Sequence, residues 1–404
     1  MRVMCTTMGS PSHGRAQLPL LRALAAAGHE VLVVTDEVLA PVFREDDVRV
    51  VTRMPDLDPG GWVERYRGGG GQPPDGDPEA FQRDLMPALF RGMTREGAAD
   101  SYAAVLPVAE EFQPDLILRD GMDLGACLVG ERLGVPHLPT PSGTTNVLNP
   151  AKILGPLNAT REEVGLPVRD DPLSLLPYGR IDYVPPALSF ARYLEPSPLA
   201  YRQTVDVARG AALPAWVAEL GADRPLVFAA LGTVLPATCE RASSPAPPVL
   251  FPDARETLRT MAEAVARLDD CVVVLATGGV DAGPGEPPPH VHVVERIPQP
   301  LLLEAADVFL THGGFNSVRE SLRTATPMVV LPQFADQYPN ARRVEELGLG
   351  RCVTTRTPEG VAADCRAVLA DRRTAARARR ARLAMLTLPP VENAVGDLVK
   401  IVTG

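Results

Sequence analysis

Short apolar segments alternate with helical segments along most of this 404-residue chain, and the alternation limits the folds that it can adopt. Residues 30–35 (EVLVVT) are typical of a buried strand, and they follow a predicted helix that Gly28 ends. The same order recurs near residues 115–133 and again near residues 226–276. Strands that alternate with helices form parallel sheets covered on both faces. We therefore predict an α/β protein with two doubly wound parallel sheets.

A change in composition near residues 205–222 separates the two series of strands. The passage before it, residues 172–198, is irregular and rich in proline, whereas residues 224–230 restart the strand pattern. The predicted segments are an N-terminal domain at residues 1–210, a C-terminal domain at residues 223–385 and a terminal helical segment at residues 386–404.

Charge and cysteine usage narrow the possible partners and surroundings. A formal net charge of −10 argues against a nucleic-acid partner, because phosphate backbones require a basic face. No apolar run is long enough to span a bilayer, and no secretory leader opens the sequence. The six cysteines form no C-x-x-C pair, and Cys5, Cys127 and Cys271 lie in apolar contexts. These features predict a cytoplasmic protein with buried, reduced thiols and no metal.

Residues 311–340 (THGGFNSVRESLRTATPMVVLPQFADQYPN) contain the most informative pattern in the chain. A predicted strand at residues 307–310 runs into a His-Gly-Gly turn, and a helix is expected to begin at Asn316 or Ser317. The unpaired N–H groups and the positive dipole end of such a helix favour an anion, usually phosphate. His312 adds a side-chain donor, and the two glycines let the anion approach the backbone.

Acceptor side chains follow in the same segment. Glu320 and the pair Asp336–Gln337 can accept hydrogen bonds from the hydroxyl groups of a sugar. Hydrogen-bond donors for a phosphate, followed by hydrogen-bond acceptors for hydroxyl groups, indicate a nucleotide-sugar site. The spacing from His312 through Glu320 to Asp336, Gln337 and Asn340 resembles the donor-binding signature of inverting GT-B glycosyltransferases. The antibiotic and natural-product members of that family are the most similar.

The resemblance implies two Rossmann-like domains that face each other across a cleft. The N-terminal domain would bind the acceptor, the C-terminal domain would bind the nucleotide sugar, and the last helix would pack back on the N-terminal domain. In this family, tryptophan often occupies the first position of the Pro-Gln motif and stacks on the nucleobase. Here that position is Arg296, whose guanidinium plane can also stack on a base, so the preference for uracil or thymine stays open. The implied donor-binding residues are Gly232, Thr233, Arg296, Ile297, His312, Gly313, Gly314, Asn316, Ser317, Glu320, Asp336 and Gln337.

A histidine after the first strand is the candidate general base. His13 lies in a predicted loop at residues 9–15, before a helix expected from about Gln17, and ligands bind at this end of parallel strands. The resemblance gives His13 the role of base and Asp120 that of the carboxylate that orients it. Asp123, three residues later, is an alternative to Asp120.

The resemblance implies that a (deoxy)hexose moves from a TDP- or UDP-sugar to a hydroxyl of a natural-product aglycone, with inversion at the anomeric carbon. No Asp-x-Asp motif is placed to hold a divalent cation, so transfer is expected to need no metal and no cofactor. An apolar small-molecule acceptor is expected, whose identity stays open, and a homodimer is possible. Candidate acceptor contacts, which could equally anchor a loop to the domain, are Trp62, Tyr66, Phe81, Phe90 and Met93.

Two other functions stay open. One is a catalytically silent GT-B partner protein that assists a true transferase. The other is a nucleotide-sugar epimerase or dehydrogenase of Rossmann type. The second is disfavoured because the first strand is followed by Gly-Ser-Pro-Ser-His-Gly and not by G-x-G-x-x-G.

Overall fold

The structure, a computed structural model, describes residues 1–67, 78–203, 210–236, 251–283 and 285–404. Of residues 67 and 78–81 it describes the backbone only. The chain divides into two units, of which the first comprises Met1–Val207 and Leu388–Gly404 and the second comprises Ala208–Thr387.

The first unit contains a five-stranded sheet in the order β3-β2-β1-β4-β5, in which every pairing is parallel. The predicted parallel α/β sheet is therefore confirmed for this unit. Successive residues of the central strand enter opposite cores, since Val3 and Cys5 lie in one apolar cluster and Met4 lies in another. The strands are β1 (Arg2–Thr6), β2 (Glu30–Thr35), β3 (Arg49–Thr52), β4 (Leu116–Arg119) and β5 (His137–Pro139). A small parallel pair is formed by β6 (Ile181–Asp182) and β7 (Leu199–Ala200).

Helices cover both faces of this sheet. They are α1 (Pro11–Ala26), α2 (Pro59–Arg67), α3 (Pro78–Thr94), α4 (Glu96–Phe112), α5 (Gly125–Leu133), α6 (Gly143–Val147) and α7 (Pro150–Glu163), with 3₁₀ turns at Ala40–Phe43, Pro172–Leu175 and Pro186–Leu188. The thiols of Cys5 and Cys127 are buried here, and that of Cys271 is buried in the second unit, as predicted.

The first helix begins earlier than the sequence indicated. We expected a loop through residue 15 and a helix from about Gln17, but α1 starts at Pro11. Proline is compatible with the first helical position because its missing N–H would have no helical partner there, and its φ is already helical. Ser10 before it is extended, with φ −146° and ψ 156°. His13 therefore lies in the first turn of a helix and not in a loop.

The terminal helix α14 (Asn393–Thr403) belongs to the first unit. Its buried side chains Ala394 and Leu398 lie in the same apolar cluster as residues of α1. The hydroxyl of Tyr201 donates a hydrogen bond to Asp397 Oδ2 at 2.9 Å, and the Arg202 N–H donates to the Pro389 carbonyl at 2.7 Å. The last stretch of chain is thus tied to the segment that follows β7.

The second unit contains a six-stranded sheet in the order β10-β9-β8-β11-β12-β13, again entirely parallel. The second predicted sheet is therefore confirmed too. Its strands are β8 (Leu226–Ala230), β9 (Val272–Ala276), β10 (Val291–Val294), β11 (Val308–Thr311), β12 (Met328–Val330) and β13 (Gly350–Cys352). A 3₁₀ turn lies at Ala215–Glu219, and the helices are α8 (Ala254–Val265), α9 (Gln299–Leu302), α10 (Phe315–Thr324), α11 (Gln337–Glu346), α12 (Pro358–Ala370) and α13 (Arg372–Leu386). None of the helices within the described ranges is both long enough and apolar enough to cross a membrane.

Candidate functional site

A hydrogen bond joins the two residues proposed for catalysis in the first unit. His13 Nδ1 lies 2.8 Å from Asp120 Oδ2. The ring follows β1 and the carboxylate follows β4, and these strands are neighbours whose carboxyl ends share one edge of the sheet. The imidazole is 21% exposed and the carboxylate 1% exposed. A buried carboxylate therefore fixes the orientation of a ring that solvent reaches.

Backbone contacts hold Asp120 in this orientation. Its own N–H donates to the Thr6 carbonyl at 3.0 Å, which extends the pairing between the two central strands. Its Oδ1 accepts a hydrogen bond from the Met122 N–H at 2.9 Å, which leaves Oδ2 directed at His13. Both carboxylate oxygens are thus committed to defined donors.

The alternative carboxylate, Asp123, makes different contacts. Its Oδ1 accepts hydrogen bonds from the Ser101 hydroxyl at 2.6 Å and from the Ala126 N–H at 3.0 Å. Burial raises the pKa of its carboxyl group above the usual value, and these hydrogen bonds oppose the rise. The contacts of Asp123 fix the start of α5, and the partner of His13 is Asp120.

In the second unit, the turn between β11 and α10 forms the predicted strand-turn-helix arrangement. The strand ends at Thr311 and the helix begins at Phe315, one residue earlier than the first of the two starts that we expected. Asn316 and Ser317 lie in the first turn of this helix, where backbone N–H groups are directed out of the end of the helix. The Asn316 side chain accepts a hydrogen bond from Arg319. The helix start therefore presents backbone donors at the carboxyl edge of the sheet.

Three glycines allow the close packing around this turn. A Cβ on Gly313, whose φ is 83°, would lie 2.5 Å from Val330 Cγ1. A Cβ on Gly314 would lie 2.4 Å from His312 Nε2, and one on Gly232, with φ 76°, would lie 2.3 Å from His312 Cε1. The His312 ring thus fits between the turn after β8 and the turn after β11. Thr233, which follows Gly232, is exposed.

His312 is a neutral donor and not a cation. Burial lowers the pKa of its imidazole to about 4, and the Ala230 carbonyl only partly opposes this effect. At neutral pH the ring can donate one N–H but adds no positive charge. Stabilisation of an anion in this unit therefore depends on the backbone N–H groups and the helix dipole.

A glutamine outside the predicted donor-binding set completes this edge. Gln299 Nε2 donates to Glu320 Oε2 at 2.7 Å and to Ser317 Oγ at 3.2 Å. These contacts link the segment after β10 to α10. The Pro-Gln motif, which contributes Arg296 and Ile297 to the predicted donor-binding residues, is the sequence signal that points to Gln299. Arg296 is exposed and lies 3.4 Å from Glu295, and Ile297 is half-buried.

The pair Asp336–Gln337 is held differently at its two positions. Gln337 is buried, and its Oε1 accepts hydrogen bonds from the N–H groups of Gln333 at 2.9 Å and Phe334 at 3.3 Å. This oxygen was expected to contact sugar hydroxyls, but it stabilises the turn after β12. Asp336 is half-buried and accepts from Asn340 Nδ2 at 2.8 Å. The same Nδ2 donates to the Gly313 carbonyl at 3.0 Å, which couples the two turns.

Most of the candidate acceptor contacts are residues of the first unit's core. Trp62 and Met93 are buried in one apolar cluster, and Tyr66 and Phe90 pack against it. The Tyr66 hydroxyl also donates to Glu96 at 2.7 Å. Phe81 lies on α3, and its side chain is outside the described residues. These contacts favour the interpretation in which the residues anchor α2 to the domain, so an acceptor role stays a prediction.

Within the ranges that the structure describes, no group of three or more His, Cys, Asp or Glu side chains is arranged to hold a metal ion. The first unit thus holds a His–carboxylate pair, and the second unit, described by itself, holds a set of backbone and polar side-chain groups at the carboxyl edge of its sheet.

Curated proteins of known activity resemble the chain along most of its length. It is 28% identical over 381 residues to the L-demethylnoviosyl transferase of Streptomyces niveus, an alignment that covers 92% of this chain and 90% of the relative. It is 27% identical to the aclacinomycin-T 2-deoxy-L-fucose transferase of Streptomyces galilaeus, with coverage of 87% and 84%. Residues 259–401 match the family described as erythromycin biosynthesis protein CIII-like, C-terminal domain.

Solved glycosyltransferases share the fold. The glycosyltransferase VinC in complex with dTDP superposes with a TM-score of 0.72 at 21% identity, and the alignment covers 100% of both chains. The glycosyltransferase SnogD from Streptomyces nogalater gives a TM-score of 0.72 at 24% identity, with coverage of 100% of this chain and 99% of SnogD. The two parallel sheets and these superpositions show that the chain has the GT-B fold, and along most of its length it is similar to natural-product NDP-glycosyltransferases.

Proposed function

We propose that the protein transfers a (deoxy)hexose from a TDP- or UDP-sugar to a hydroxyl group of a natural-product aglycone, with inversion, and that His13 is the general base. The 2.8 Å hydrogen bond between His13 Nδ1 and the buried Asp120 carboxylate carries the proposal. The names of the relatives support the substrate classes, since they include sugar transferases and a structure that contains dTDP.

The His–Asp pair accounts for activation of the acceptor. The carboxylate selects the tautomer in which Nδ1 carries the proton, so Nε2 has the lone pair that accepts a proton. As the acceptor oxygen attacks the anomeric carbon, its proton moves to Nε2 and the bond from that carbon to the phosphate oxygen breaks. Asp120 then stabilises the imidazolium that has formed, and a single displacement of this kind inverts the anomeric centre.

The second unit supplies stabilisation for the leaving nucleoside diphosphate. The N–H groups at the start of α10, with the neutral His312 ring beside them, would receive the negative charge that develops on the phosphate. Glu320, oriented by Gln299, would accept hydrogen bonds from the ribose, and Arg296 would lie against the base. Asp336 would contact the sugar. Gln337 would have to contact the sugar through its amide nitrogen, because its Oε1 already accepts a hydrogen bond from the Gln333 N–H.

A transfer assay tests the proposal directly. Incubation with TDP- and UDP-sugars and a panel of apolar aglycones should yield a glycoside whose anomeric configuration, measured by NMR coupling constants, is opposite to that of the donor. The rate should be unchanged in EDTA, because backbone donors take the role of a cation. Retained configuration, or activity that EDTA abolishes and Mg²⁺ restores, would contradict the mechanism.

The two neighbouring carboxylates should respond differently to the same substitution. Asp120→Asn is expected to lower kcat on the order of 10³-fold, because an amide donor at this position favours the wrong imidazole tautomer. Asp123→Asn should change kcat less than about threefold, because an asparagine oxygen still accepts from Ser101 and Ala126. Steady-state rates at a saturating concentration of the donor sugar measure kcat for both variants. Equal losses of kcat in the two variants would count against Asp120 as the orienting group.

A further inference from the structure

Arg119, the last residue of β4, is a cation buried beside the catalytic pair. Its side chain has 0% exposure, and within the described residues no ion pair joins it to a carboxylate. Removing a guanidinium from water without a paired anion is costly, so its hydrogen bonds must compensate. Packing alone therefore does not explain why a buried arginine occupies this position.

The guanidinium is directed at backbone carbonyl groups. Nη2 donates to the Leu175 carbonyl at 2.9 Å, and Nη1 makes longer contacts with the carbonyls of Asp120 at 3.5 Å and Asp123 at 3.4 Å. The two Nη1 contacts mark the ends of the turn that carries the Asp120 side chain. The Nη2 contact attaches this turn to the 3₁₀ turn Pro172–Leu175, and Leu175 is 56 residues away from Arg119 in the sequence.

The same turn holds two buried carboxylates, those of Asp120 and Asp123. A cation beneath the turn attracts both carboxylates and the negative ends of the carbonyl dipoles. Its attraction lowers the pKa of Asp123 against the effect of burial. The planar fork of arginine suits this arrangement, because its separate nitrogens reach carbonyls that diverge.

We propose that Arg119 is a positioning residue for the reaction: it fixes the backbone of the Asp120–Asp123 turn and thereby the direction of the Asp120 carboxylate toward His13. The proposal rests on the proposed role of His13 as base. The described hydrogen bonds of Arg119 all go to backbone carbonyl groups, so its effect is transmitted through the turn.

Replacing Arg119 with methionine removes the donors and keeps most of the side-chain length. We expect kcat to fall at least about tenfold while KM for the donor sugar stays within about twofold, since the donor site lies in the other unit. The matched control is Arg161→Met, which removes another fully buried arginine, one paired with Glu131 at 2.7 Å and remote from His13 in its contacts. This variant should lose thermal stability and keep kcat within about threefold.

A proton NMR measurement separates positioning from general destabilisation. The His13 Nδ1 proton bound to Asp120 should give a low-field resonance, assigned by its absence in His13→Ala. We expect the resonance to shift or broaden in Arg119→Met and to stay unchanged in Arg161→Met. This readout needs no turnover, so it tests the proposal even if the transfer reaction itself is not observed.

An unchanged resonance and unchanged kcat in folded Arg119→Met would overturn the proposal, as would equal losses in Arg161→Met. If Arg119→Met does not fold, Arg119→Lys replaces it, because an ammonium keeps the charge but cannot reach three separate carbonyls. We then expect an intermediate kcat and a shifted resonance, and wild-type values for both would refute the proposed positioning.

Discussion

Replacing His13 with alanine is expected to lower kcat by about 10²- to 10⁴-fold, the usual contribution of a general base. The structural basis is the short hydrogen bond to the buried Asp120, which orients the ring for proton transfer. The affinity for nucleoside diphosphate should not change, because the proposed donor residues belong to the other unit. Single-turnover rates and a nucleotide titration of the same preparation measure the two quantities.

The same variant discriminates between an enzyme and a catalytically silent partner protein. A scaffold that only assists another transferase would keep its effect when His13 is removed. A His13→Ala protein that still glycosylates at the wild-type rate would contradict the proposed base. His29, whose ring contacts the terminal amino group at 3.1 Å, offers a control, since His29→Ala should leave kcat within about twofold.

Replacing Gly313 with alanine is expected to weaken binding of TDP or UDP by at least about tenfold. The left-handed φ of 83° costs an alanine roughly 1–2 kcal/mol. The added Cβ would also lie 2.5 Å from Val330 Cγ1, so the turn must move. Because the Gly313 carbonyl accepts from Asn340, the displacement reaches the turn that carries Asp336. Isothermal titration calorimetry measures the loss of affinity.

Two further variants locate the cause. The double variant Gly313→Ala with Val330→Ala relieves the clash but not the backbone strain, so its affinity should recover only in part. Gly155→Ala is the control, since that glycine lies in α7 and an added Cβ meets nothing within 4 Å. Wild-type affinity in Gly313→Ala would show that the turn does not shape the nucleotide site.

The parallel sheets were predictable because each buried strand leaves a short continuous apolar run. Residues 30–35 and 226–230 are typical of strands covered on both faces, and both lie in parallel sheets. The start of α1 was not predictable from composition alone. The run Ser10-Pro11-Ser12 is typical of a turn, and the same proline is also suited to the first position of a helix.

The candidate site divides in a similar way. The positions that belong to the sequence motif, such as Gly313 and Gly314, were predictable because a tight strand-to-helix turn requires glycine there. Contacts that depend on tertiary packing do not follow from spacing. The bond between Gln299 and Glu320 spans two helices, and the use of Gln337 Oε1 by the turn after β12 depends on how that turn folds. The charge state of His312 was also not predictable from the sequence, because burial of the imidazole determines it.

We propose that the second unit binds a nucleoside diphosphate sugar without a metal. We would titrate the protein with TDP, UDP, GDP and NAD in the presence of EDTA and follow thermal unfolding. A ligand of the folded state should stabilise it by about 2.7 kcal/mol at a hundredfold excess over Kd. We expect stabilisation by TDP or UDP, with Arg296 beside the base. Stabilisation by NAD alone, or by none of the four ligands, would contradict it.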